Sequence, residues 1–212
     1  SNSKMNELIK RSLTGIVFLV VLIGSILWRS SAFGILFSII TAISLYEFYR
    51  MIESSKANPQ KALGILVGTT LFGLNYLIAF KWAGLEILLV MIPLLFLFFI
   101  NELFSGKSNS FDNIAYSILG ILYIAVPFSL VNYLITFPMN ALKELHSPLI
   151  LLGIFIIIWT NDSFAYVTGS LFGKHKLYPS ISPKKSWEGT IGGGFFAIAI
   201  SVLLSYQFKI LY

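Results

Sequence analysis

"PLILLGIFIIIWTNDSFAYVTG", residues 148–169, decides the architecture of this chain. Residues 148–158 carry no polar side chain, and only after Trp159 do Thr160, Asn161 and Asp162 follow. A helix needs about 20 such residues, at about 1.5 Å each, to cross a hydrocarbon layer of about 30 Å. Six more windows of this kind occur, at 12–28, 32–52, 62–80, 84–104, 113–137 and 190–211. The breaks between them are turn-rich: "SSKANPQK" at 54–61, "SGKSNS" at 105–110 and "PMNALKELHSP" at 138–148. The expectation is an all-α, polytopic transmembrane bundle of about seven spans, one integral-membrane domain over residues 1–212, with residues 170–189 forming a loop outside the lipid. Pro93 and Pro127 fall inside predicted spans, where neighbouring helices tolerate a kink.

Composition agrees. Hydrophobic residues make up 57% of the 212, charged residues only 11%, and mean hydropathy is +0.84. The chain has no cysteine, which excludes disulfides, thiolate metal sites and cysteine nucleophiles within it. Its net charge of +6 would suggest a nucleic-acid partner in a soluble protein, but in a membrane protein the placement of charge matters more than the sum. Counting Lys and Arg over alternate loops puts 11 on one side, among them Lys174, Lys176, Lys184 and Lys185, and 4 on the other: Arg29, Lys81, Lys143 and Lys209. The positive-inside rule therefore places the N-terminus and the 170–189 loop in the cytoplasm, and membrane lipids rather than nucleic acid are the expected surroundings.

Most polar residues in or near the spans have structural explanations. Glu47 in "LYEFYR" is one turn from Arg50 and suits an ion pair; Glu102 is expected to behave similarly. His146, beside Glu144, suits an exposed outer loop. Gly64, Gly68 and Gly73 suit close helix packing, either within the chain or between two copies as a homodimer. Asp162 differs. It lies about 14 residues into its span, about 21 Å from the outer end, where an ionisable group is expected to face the bundle interior or a wet cavity. With Asn161 and Ser163 it offers oxygen acceptors suited to a hard cation or a polar substrate group.

The following loop supplies the opposite charge. Lys174, His175, Lys176, Lys184 and Lys185 precede the single acid Glu188, in "SISPKKSWEGTIGGG", residues 180–194. Pro183 stiffens the backbone before the lysine pair, and Ser182 suits a turn cap. Gly189, Gly192, Gly193 and Gly194 open the next helix, where backbone amides and the helix dipole favour a phosphate. Lysines neutralise phosphate charge. Nothing matches the P-loop, GxSxG or HExxH patterns.

The block from Asn161 to Gly194 resembles the central motif of the phosphatidate cytidylyltransferases, or CDP-diacylglycerol synthases. That pattern runs N-D-x-x-A-Y, G-x-x-F-G-[KR] and S-P-K-K-[TS]-x-E-G, and is met by Asn161, Asp162, Ala165, Tyr166, Gly169, Phe172, Gly173, Lys174, Ser182, Pro183, Lys184, Lys185, Glu188 and Gly189. Ser186 stands where threonine is more usual and keeps the hydroxyl. "LIKRSLTGIVF" and "LYEFYRM" resemble the opening of the same family.

The resemblance implies transfer of CMP from CTP to phosphatidate, giving CDP-diacylglycerol and pyrophosphate at the cytoplasmic face of a bacterial inner membrane, with Mg2+ as cofactor. It assigns Lys184 and Lys185 to CTP phosphates or the leaving pyrophosphate. Asp162 is assigned to magnesium or ligand orientation, and Asn161, Lys174, Ser182, Ser186, Glu188 and Gly189 to substrate binding. The family's second signature, S-x-x-K-R-x-x-x-x-K-D with further acidic residues, is absent up to Tyr212. The expectation is an N-terminal part of the enzyme, inactive alone, with the main acidic metal ligands beyond Tyr212. An anionic-solute transporter, a non-catalytic membrane scaffold and a lipid-polyprenol kinase are the rival readings.

Overall fold

The computed structural model describes residues 2–53, 57–106, 108–136 and 148–211. Lys56, Lys107, Lys143, Glu144 and His146 lie outside the described residues, as do the side chains of Lys4, Lys10, Arg11 and Lys209. The helices are α1 (Asn2–Trp28), α2 (Ser30–Glu53), α3 (Lys61–Ala79), α4 (Met91–Ser105), α5 (Ser110–Gly120), α6 (Val126–Ile135), α7 (Pro148–Phe172) and α8 (Trp187–Leu211). Six helical stretches are long and apolar enough to cross a membrane, and Leu13–Trp28 in α1 is a shorter apolar helix, so each predicted window is largely helical over its described residues. The all-α polytopic architecture stands. It carries one addition, an antiparallel hairpin of β1 (Lys176–Tyr178) and β2 (Ser182–Ser186), where only a loop was expected.

Two predicted spans are not uniform α-helix. The fourth begins as a 3-10 segment, Leu85–Val90, before α4, and Pro93 occupies the first turn of α4. The fifth runs through α5, a π segment at Ile121–Ala125 and α6, with Pro127 at the start of α6. Proline has no N–H to donate and its ring crowds the carbonyl four residues earlier, so the chain widens or tightens just before it.

The chain packs as two compact units, one formed by the described residues up to 136 and the other by 148–211. In the first, Leu45 and Tyr49 of α2 pack with Val67 and Leu74 of α3, Met91 and Phe98 of α4, and Ile121 and Ala125. Tyr49 is fully buried and donates to the Ser117 carbonyl at 2.7 Å. Its ring fills the space that a side chain at Gly64 would need, and Gly68 likewise abuts Leu45 and Ala125. Those two glycines thus serve packing within the chain, whereas a side chain at Gly73 would meet nothing within 4 Å.

The Glu47–Arg50 pair forms at 3.4 Å on the surface. Glu102 departs from expectation. It is 4% exposed and no Lys or Arg pairs with it among the described residues; Gln60 Nε2 donates to one carboxylate oxygen at 2.8 Å and Asn113 Nδ2 to the other at 2.7 Å. The reason is the segment before α3: Asn58 N–H donates to Asn113 Oδ1 and Gln60 N–H to Ser117 Oγ, which draws residues 57–60 onto α5 and carries the Gln60 amide to α4. Amides, not a cation, satisfy the acid.

Candidate functional site

The second unit contains the whole 161–194 block. Its two helices meet along small residues: Asn161, Ala165, Thr168 and Gly169 of α7 lie against Gly189, Gly192 and Gly193 of α8. A Cβ at Gly189 would come to 2.7 Å from the Ala165 carbonyl oxygen, and one at Gly193 to 2.7 Å from that of Asn161. Only a bare backbone fits this close approach. Beyond it the rings of Phe164 and Phe196 stack at 3.8 Å. The glycine run therefore has a structural use the sequence did not announce, and of its members Gly194 alone faces open space.

Between the helices, β1 and β2 pair Lys176 with Ser186 and Tyr178 with Ser182, with an irregularity in register between the two rungs. Ile181 N–H bonds the Tyr178 carbonyl at 3.2 Å and closes the tip; Trp187 N–H bonds the His175 carbonyl at 2.9 Å and closes the base. Ser182 lies in β2 rather than capping a turn, and Pro183 follows it in the strand. Ser186 is the residue that caps. It is 3% exposed, and its hydroxyl accepts from Gly189 N–H at 3.1 Å, the N-cap to N3 geometry that satisfies an otherwise orphan amide of α8. The Trp187 and Gly189 amides, in the first turn of α8, both donate within the chain.

Lys174, Lys176, Lys184 and Lys185 are all exposed. The two rungs are four residues apart on β2 but only two apart on β1, so Pro183, Lys184 and Lys185 lie together in the irregular part of the ribbon, where both lysines are exposed. Glu188 turns back on the chain: its carboxylate accepts from His175 Nδ1 at 2.7 Å and from the His175 backbone N–H at 3.2 and 3.3 Å. His175 had no assigned role in the sequence. No local pattern announced it, since thirteen residues separate it from Glu188 and the hairpin brings the two together.

Asp162 is exposed on α7, one position round from the Asn161 face that meets α8. The Asn161, Ala165 and Thr168 positions take the close contact with α8, and Asp162 lies off them. Asn161 Nδ2 approaches Asp162 Oδ1 at 3.5 Å. Asn161 lies opposite Gly193, six residues beyond the start of α8, about 9 Å along the axis. None of the ion pairs among the described residues joins Asp162 to the lysines. The structure brings together Ser186, Glu188 and Gly189 at the hairpin base, and leaves Asp162 about two turns away.

Among the described residues no three His, Cys, Asp or Glu side chains gather into a metal site. Asp162 offers one exposed carboxylate. That suits magnesium in its common mode, held by one or two carboxylates with substrate phosphates and water, and does not suit an all-protein cage.

Fold and site together define an integral-membrane protein that carries a cationic hairpin between two tightly packed helices. The chain belongs to the cytidylyltransferase family, whose pattern matches residues 9–211. Among curated proteins it is similar to the phosphatidate cytidylyltransferase of Staphylococcus aureus (strain COL), 29% identical over 196 residues, covering 92% of this chain and 71% of that protein. The phosphatidate cytidylyltransferase of Rickettsia felis is 34% identical over 144 residues, 68% of this chain and 58% of that one. A shorter match to that of Haemophilus influenzae reaches 48% over 58 residues, 27% of this chain and 20% of that one. No solved structure matches the chain. Family membership does not favour the transporter or scaffold readings.

Proposed function

We propose that the protein is a CTP:phosphatidate cytidylyltransferase, forming CDP-diacylglycerol in a bacterial inner membrane with the hairpin on the cytoplasmic side. A phosphate oxygen of phosphatidate attacks the α-phosphorus of CTP, the bond from that phosphorus to the bridging oxygen of the β-phosphate breaks, and pyrophosphate leaves. The lipid phosphate is itself the nucleophile, so the work left to the protein is to bring two anions together and neutralise charge. Lys184 and Lys185, aided by Lys174, supply positive charge to the triphosphate and the leaving group. Asn161 and Ser182 contribute polar contacts. Ser186, Glu188 and Gly189 serve chiefly by shaping the hairpin base. A magnesium ion, when bound, would lower the negative charge of the phosphates, with Asp162 as its donor from this chain.

The observation that supports the reading is the exposed lysine-bearing hairpin, held by the same block of residues that carries the family motif. The excess of Lys and Arg in alternate loops supports the cytoplasmic orientation. For pairing of two copies, Gly73 is the member of the Gly64, Gly68 and Gly73 set that is still open, because Tyr49, Leu45 and Ala125 cover the other two. The test uses the protein made from its whole gene in lipid nanodiscs. Labelled CTP and phosphatidate should yield CDP-diacylglycerol only with magnesium, and Lys185→Ala and Asp162→Asn should each reduce turnover. Unchanged CTP affinity and turnover in both variants would falsify the site; failure of the parent protein to form CDP-diacylglycerol would overturn the reaction.

A further inference from the structure

We infer that His175 is a positioning residue: with Glu188 it forms a clasp across the base of the hairpin that holds the lysines where the two anionic substrates meet. The inference rests on the cytidylyltransferase reading for the identity of those substrates and on geometry alone for the clasp. A two-stranded ribbon this short is marginal by itself. This one has two rungs, with an irregular register between them, so its orientation depends on what fixes its ends.

The base carries those fixings. His175 and Glu188 are thirteen residues apart, yet Nδ1 and the backbone N–H of His175 both bond the one carboxylate, while the His175 carbonyl accepts the Trp187 amide. A carboxylate only accepts, so Nδ1 must carry the proton. Glu188 in turn sits next to Gly189, whose amide is capped by Ser186, the last residue of β2. The entry to β1 and the exit from β2 are thereby tied to one turn of α8.

The His175 side chain is 80% exposed and that of Glu188 27%, so this pair in isolation is worth little. Its leverage comes from three contacts closing one short loop, and it acts on the lysine side chains through the hairpin backbone. Glu188, placed among substrate ligands by the family resemblance, is on this geometry already engaged by the chain, and its part is to hold His175.

The test compares His175→Ala, His175→Asn and Glu188→Gln in the whole-gene protein in nanodiscs, reading CMP transfer and backbone hydrogen exchange on the same samples. Asparagine places an N–H donor near the position of Nδ1, so it should restore what alanine removes. For His175→Ala the expected result is a KM for CTP raised about five- to tenfold, kcat within about twofold of the parent, and exchange at residues 176–186 about tenfold faster. His175→Asn should return both readouts to within about twofold of the parent, and Glu188→Gln, which keeps one acceptor, should fall between.

Unchanged exchange in His175→Ala would overturn the clasp. Equal impairment by asparagine and alanine with unchanged exchange would make the imidazole a direct substrate contact instead. If the parent transfers no CMP, the cytidylyltransferase reading falls, while the exchange measurements still decide whether the clasp exists.

Discussion

The hydroxyl of Ser186, the last residue of β2, accepts the amide hydrogen of Gly189 in the first turn of α8 at 3.1 Å. One side chain thus ends the hairpin and starts the helix. Replacing a capping serine by alanine removes the acceptor and typically destabilises by about 1 kcal/mol. Here the orphaned amide is buried, so Ser186→Ala is expected at the upper part of a range of about 0.5–2 kcal/mol. Ser186→Thr keeps the acceptor and should lie closer to the parent. Reversible unfolding in mixed micelles checks both, and a neutral Ser186→Ala would mean that the cap contributes nothing.

Gly193 and Gly194 are neighbours with opposite surroundings. A Cβ at Gly193 would lie 2.7 Å from the Asn161 carbonyl oxygen and 2.8 Å from Ala165 Cβ, whereas one at Gly194 would meet nothing within 4 Å. Gly193→Ala should push α8 from α7 and destabilise by about 1–3 kcal/mol, the usual effect of overpacking. Gly194→Ala should be neutral or stabilising by up to about 1 kcal/mol, because alanine loses less backbone entropy in a helix. Matching losses at both positions would refute the packing assignment.

That contrast also marks how far the letters carry. The spans were legible because lipid demands long apolar helices whatever their packing, and the Glu47–Arg50 pair was legible because it is local. The roles of Gly189 and Gly193 were not, since a glycine serves equally a phosphate or a neighbouring helix until the partner is known. The hairpin was missed because strands of three and five residues, with proline and lysines among them, have too little alternation to stand out. Glu102 was misjudged because its partners lie 42 and 11 residues away in sequence, and no local pattern announces them.

Lys184 and Lys185 should act on the same anion. Both are exposed in the irregular stretch of β2 between the Ser182 and Ser186 rungs. A shared phosphate site makes the two alanine variants alike; separate sites would give unlike kinetics. Lys184→Ala and Lys185→Ala are each expected to raise the KM for CTP at least about threefold, about 0.7 kcal/mol in binding. Steady-state kinetics with CTP and phosphatidate varied separately checks this, and an effect confined to one of the two variants would assign the lysines to separate sites.

Glu102 is best tested by its amide. Both carboxylate oxygens accept, and both donors are pinned: Gln60 Oε1 already accepts from Asn101 Nδ2 at 2.8 Å, and Asn113 Oδ1 from Asn58 N–H at 2.7 Å. Neither amide can flip without losing its own bond. Glu102→Gln would therefore set a donor against a donor at one oxygen position, despite near-identical shape, and should destabilise by about 1–3 kcal/mol. Glu102→Ala removes the hub and costs Gln60 Nε2 and Asn113 Nδ2 one buried bond each, leaving them the Phe98 and Ser108 carbonyls, so it should lose more. Because the network fastens residues 57–60 to α4 and α5, hydrogen exchange at Asn58 and Gln60 should quicken in both variants. Full stability in Glu102→Gln would show that the amides reorient freely and that this acid does not hold the segment in place.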